Sequence, residues 1–148
     1  LEANCLVVYS GGRAGHTRKH CRKLFQEALT RIVPYAAAKN ITLGLEPMHP
    51  ATSSRWSISD SLAEMLDWVE KFDNPFLKLI FDSYHICHDP EWPRWLEQHR
   101  QRICLIHIAD ADEPPCDEQN RCLLGAGHLH SRLFSRRSTK LAIEALLK

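Results

Sequence analysis

The chain has 148 residues, 44% of them hydrophobic, and a formal net charge of +1. That length is enough for one domain with a real core, and the near-neutral balance argues against a nucleic-acid or anionic-membrane partner recruited by bulk charge. No apolar stretch approaches the roughly 20 residues of a membrane span. The opening residues, Leu1-Glu2-Ala3-Asn4-Cys5, lack the basic and apolar regions of a signal peptide.

The first predicted strand is Cys5 to Tyr9, so close to the start that a preceding segment reads as removed. Ser10-Gly11-Gly12 follows as a turn into a helix. From His16 to Lys39, Leu24, Ala28, Ile32 and Ala36 recur at helical spacing, with Pro34 expected to kink the helix or end a turn. The second strand is the run Ile41-Thr42-Leu43-Gly44-Leu45-Glu46-Pro47, followed by a Pro-, Ser- and Thr-rich loop, Pro47 to Ser54. Ser57 with Asp60 three residues on resembles a capping box. Ile58, Leu62, Met65, Leu66 and Val69 mark the buried face of the next helix, which Asn74-Pro75 ends.

A third strand, Leu77 to Asp82, leads to Ser83-Tyr84-His85, and a short helix from Trp92 to Gln98 leads to a fourth strand ending near Ala109. The order βαβαβαβ has repeats of about 25 to 40 residues, the size of βαβ units. From Asp110 to Gly127 the chain is acidic and loop-like, and a basic tail follows from His128. Six cysteines, Cys5, Cys21, Cys87, Cys104, Cys116 and Cys122, form no CxxC pair. They read as reduced thiols of a cytoplasmic protein, although Cys116 and Cys122 flank one polar loop and are placed to bridge under oxidation.

Three of the strands end in residues that bind metals. Parallel strands joined by helices put their C-terminal ends on one side of a sheet, where α/β folds build their sites. Glu46, Asp82, His85 and His107 would then converge as two carboxylates and two imidazoles. Each has a plainer reading: a solvated strand-end charge for Glu46, a helix N-cap for Asp82, a satisfied core histidine for His107. Their occurrence on neighbouring strand ends favours Glu46, Asp82 and His107 as ligands of a divalent metal, with His85 touching a substrate hydroxyl or a carboxylate behind the ligands rather than the metal. Asp110 and Asp112 are candidates to orient His107. His49 and His88 are reserve candidates, and Trp56 and Trp92 are possible walls of a sugar pocket.

These residues resemble the xylose-isomerase-like TIM-barrel superfamily of sugar and sugar phosphate isomerases and epimerases. Leu43-Gly44-Leu45-Glu46-Pro47 is similar to its "LEP" strand, Asn74-Pro75 through Asp82-Ser83-Tyr84-His85 to its "NP…D.YH" segment, and Ile106-His107-Ile108-Ala109-Asp110 to its "H…D" strand. Asn120 to Gly127 is similar to the loop that usually ends Gly-Glu-Gly, with Ala126 in place of the Glu. The resemblance implies an α/β fold, a partial (β/α)8 barrel of about four parallel βα units forming a single domain over 1–148. The segment 129–148 is a divergent tail. It implies Glu46 as ligand and acid/base, Asp82 and His107 as ligands, and His85 and Arg121 as substrate contacts.

The implied cofactor is Mn²⁺, with Mg²⁺ or Co²⁺ as alternatives. The implied reaction is proton transfer through an enediolate on a small-molecule sugar. Complete barrels have eight strands in about 250 residues, and the family's final Glu has no clear counterpart, Glu144 being the only late carboxylate. The reaction is therefore expected to be incomplete in this chain. The rival expectations are a non-catalytic or truncated remnant and a metal-dependent endonuclease or hydrolase of the same superfamily. A half barrel also leaves open edges that invite a homodimer.

Overall fold

The computed structural model describes residues 2–86, 88–112, 115–116 and 120–129. Four parallel strands form one sheet in the order β1 (Cys5–Val8), β2 (Thr42–Leu45), β3 (Leu77–Asp82) and β4 (Ile103–His107). Between them run α1 (Arg18–Ala38), α2 (Pro50–Trp56), α3 (Leu62–Phe72), the single turn α4 (Ser83–Ile86) and α5 (Trp92–His99). This is a partial α/β barrel.

The helices bury the outer face of the sheet. Phe25, Leu29 and Val33 of α1 and Met65, Leu66 and Val69 of α3 pack on Leu43, Leu45, Leu77 and Leu79. A second cluster joins Phe81 to Ile86, Trp92 and Leu96. Trp92 is thus core, 5.5 Å from the Phe81 ring, and not a pocket wall. On the opposite face Gly44 makes room: a Cβ there would lie 2.3 Å from Ile80 Cδ1 and 2.9 Å from Cys104 Sγ.

Four local details depart from the sequence reading. α1 buries Cys21, Phe25, Leu29, Val33 and Ala36, the stripe beside the one expected, and leaves Leu24 and Ile32 exposed. The larger side chains take the sheet. α1 also runs through Pro34, because burial of Val33 and Ala36 on either side outweighs one lost backbone bond. The expected Pro47–Ser54 loop is helical from Pro50 onward, as the start of α2, with Pro50 at its first turn and the His49 ring capping Ala51 N–H. The cap of α3 is Ser61, whose hydroxyl accepts from Glu64 N–H, while Ser57 instead bonds Ser10 and Ser59.

One irregularity sets up the site. Leu79 stands opposite Ile103, but Ile80 stands opposite Leu105, so β4 carries one extra residue. Ile103 and Ile106 both pack on the helix side despite their odd spacing. The bulge re-phases the strand, so that His107 pairs with Asp82 on the inner face. Beyond β4, β5 (Asp110–Ala111) pairs antiparallel with β6 (Arg121–Cys122). This short ribbon brings Arg121 back to Asp82 at the end of β3. Glu144 and the tail from residue 130 lie outside the described residues.

Candidate metal centre

Glu46 is the residue after β2, with its N–H donating to Val8 O at 3.3 Å. It is 1% exposed. Its Oε1 lies 3.0 Å from His107 Nδ1, and its Oε2 is buried with no hydrogen-bond partner. Asp82 ends β3. Its Oδ1 accepts from Tyr84 N–H at 2.8 Å, so the N-cap reading holds for that oxygen. Its Oδ2 faces His107 Nδ1 at 3.6 Å and accepts from Arg121 Nη2 at 2.9 Å. One atom each from Glu46, Asp82 and His107 lies within 4.8 Å of the other two. Three strand ends therefore bring two carboxylates and an imidazole to one point.

Burial pushes the Glu46 carboxyl above its usual range; the hydrogen bond from His107 partly offsets this, and the Asp82 charge adds to it. A carboxyl shifted toward neutrality is suited to taking and returning a proton.

His85 projects from α4 and is 2% exposed. Its Nδ1 accepts from His49 N–H at 3.2 Å. Burial pushes its pKa down to about 4, so at pH 7 the ring is neutral. Arg121 reaches the centre from β6, with its guanidinium 4.3 Å above the Tyr84 ring and Nη2 3.2 Å from His85 Nε2. Tyr84 in turn donates to Asn120 Oδ1 at 2.8 Å.

All five residues singled out from the sequence, Glu46, Asp82, His85, His107 and Arg121, thus share one neighbourhood. His49, held in reserve, joins them through its backbone and through its ring, 4.8 Å from His88. Asp110, a candidate to orient His107, bonds the N–H groups of Gly125 and Gly127 and so ties down the loop after β6. Asp112 pairs with His128 at 4.0 Å. Trp56 is 40% exposed beneath Arg55. Tyr9 was not singled out. It follows β1, and because Val8 stands opposite Leu45, it stands beside Glu46. Its hydroxyl interacts with the Glu46 carboxylate. Strand parity was the signal that could have found it.

The fold and this strand-end constellation define an α/β barrel protein with a possible divalent-metal triad. A family model described as xylose isomerase-like TIM barrel matches residues 1–136, and the chain belongs to that family. No curated protein matches it. Among solved structures it is similar to an AP endonuclease, family 2, from Brucella melitensis (23% identity, TM-score 0.74, 99% of this chain and 52% of that one). It is also similar to the 3-keto-D-glucoside 4-epimerase YcjR from E. coli (18% identity, TM-score 0.70, 97% of this chain and 52% of that one). A third is the IOLI protein, solved with a zinc atom (17% identity, TM-score 0.69, 96% of this chain and 49% of that one). At these identities the likeness is one of fold. The chain spans about half the length of the structures it matches. No helix among the described residues is long and apolar enough to cross a membrane.

Proposed function

We propose that this chain carries the metal-holding half of a divalent-metal-dependent isomerase or epimerase of sugars or sugar phosphates. The observation that carries the reading is the convergence of Glu46, Asp82 and His107 at the ends of three neighbouring strands. Their spacing suits an ion. Two ligands at about 2.1 Å and at right angles stand about 3.0 Å apart, and the His107 contacts to Glu46 and Asp82 are 3.0 and 3.6 Å. The burial of the Glu46 carboxylate also fits a site built around a cation, which would offset the cost of holding that charge away from water. The oxygen-rich donor set favours Mn²⁺, then Mg²⁺ or Co²⁺, over zinc.

When bound, the ion supplies Lewis-acid polarisation of the substrate carbonyl. Glu46 takes the proton beside that carbonyl and returns it. His85 contacts a substrate oxygen. Arg121, fixed by Asp82 and the Tyr84 ring, holds a hydroxyl or phosphate with its remaining N–H groups. The second acid/base of the full reaction, on the opposite substrate face, is the role the resemblance gives to the family's final Glu. We assign the protein to the cytoplasm, on the spread of six cysteines with no CxxC pair. We assign residues 1–148 to one domain. The open edges we assign to pairing with a second copy of the chain.

The test is deuterium wash-in. In D₂O with Mn²⁺, the wild type should exchange the proton next to the carbonyl of ketoses or ketose phosphates, with configuration retained because one base serves one face. Glu46→Gln should slow that exchange by at least about 100-fold. Undiminished exchange in the variant, or cleavage of abasic duplex DNA in place of exchange, would contradict the reading.

A further inference from the structure

β1 supplies no ligand to the triad, yet its end reaches the centre. Val8 packs on the helix side with Leu45, so the next residue on each strand, Tyr9 and Glu46, turns to the inner face. Tyr9 is half-exposed, 49%. Its hydroxyl meets the Glu46 carboxylate and feels the charges of Asp82 and Arg121. Glu46 is occupied at Oε1 by His107 and has no hydrogen-bond partner at the buried Oε2. A buried carboxylate oxygen bears the full cost of desolvation until a donor reaches it. The donor that follows β1 beside that carboxylate is the Tyr9 hydroxyl. A phenol keeps its proton throughout the neutral range, so the Tyr9 hydroxyl is available as a donor.

We propose that Tyr9 is a positioning residue: its O–H donates to Glu46 Oε2 in the loaded site and holds the carboxylate with Oε1 aimed at the ion position beside His107. This rests on the metal-centre reading above and extends it from three strands to four. Tyr9 acts through Glu46 and need not touch substrate. Its removal should therefore disturb ion binding and the proton-transfer step more than substrate binding.

Tyr9→Phe keeps the ring and removes only the donor. Calorimetric titration with Mn²⁺ should give binding weakened about tenfold, the usual effect of losing a partner of a metal ligand. The electron paramagnetic resonance spectrum of bound Mn²⁺ should change as the carboxylate loses its fixed orientation. At saturating Mn²⁺, deuterium exchange should lose about tenfold in kcat with KM within about twofold. A variant that matches wild type in affinity, spectrum and kcat would overturn the proposal while leaving the metal centre standing. A change in KM alone would make Tyr9 a substrate contact and overturn it equally. Absence of Mn²⁺ binding by the wild type would overturn both the proposal and the reading beneath it.

Discussion

Glu46 joins the cost of this site to its use. A carboxylate at 1% exposure is expensive to hold, and the structure offsets that cost with one imidazole contact. The sequence exposes this residue clearly, because a charge after an apolar strand has few reasons to be there. Asp82 was legible for the same reason, and it serves both readings at once, one oxygen capping α4 and the other facing the centre. His85 has a consequence in pH. It stays neutral in the fold down to about 4, whereas the unfolded chain takes up that proton near 6.5. Between those values the unfolded state binds more protons, so the contribution of His85 to stability is present near neutrality and is lost as pH falls from about 6.5 to about 4. Glu46, raised by burial, acts in the opposite sense. Replacing His85 by Gln isolates the first effect. In denaturant titrations at pH 7 and 4.5, the stability of wild type relative to His85→Gln should drop by about 1–2 kcal/mol at the lower pH. A difference independent of pH would contradict the assignment.

At the scale of elements, the strand–helix alternation was legible because apolar runs and helical spacing differ in period. The phase of those elements was less so. The stripe Leu24 to Ala36 and the stripe Cys21 to Ala36 both repeat helically, and only packing against the sheet decides that Phe25 and Leu29 go inward. Simple alternation from Ile103 would turn His107 away from Asp82; the bulge that corrects this depends on pairing with β3 and has no sequence signature. The β5–β6 ribbon likewise rests on two residue pairs, too few to read in advance, yet it delivers Arg121 to Asp82. The outermost strands leave the largest open question. Among the described residues β1 and β4 are paired on one side only, and Leu6 and Leu105 are 51% and 36% exposed there. Unpaired edges template association. Size-exclusion chromatography at two concentrations should show a dimer that strengthens with concentration. A monomer at both would remove the second-copy assignment.

The molecule as a whole is the site-bearing part of a barrel. Among the described residues, β2, β3 and β4 bring the three candidate ligands together, and α1 and α3 pack the outer face of the sheet. The motifs in chain order carried the family because each sits at a strand end, where chemistry constrains residue type more tightly than packing does. What they could not carry was the ion itself, which depends on angstrom-scale convergence of residues from Glu46 to His107. The direct test of that convergence is calorimetric titration of the purified chain with Mn²⁺ against an Asp82→Ala, His107→Ala double variant. The account predicts specific binding by the wild type and its loss in the variant. Equal heats from both proteins, or none from either, would contradict it.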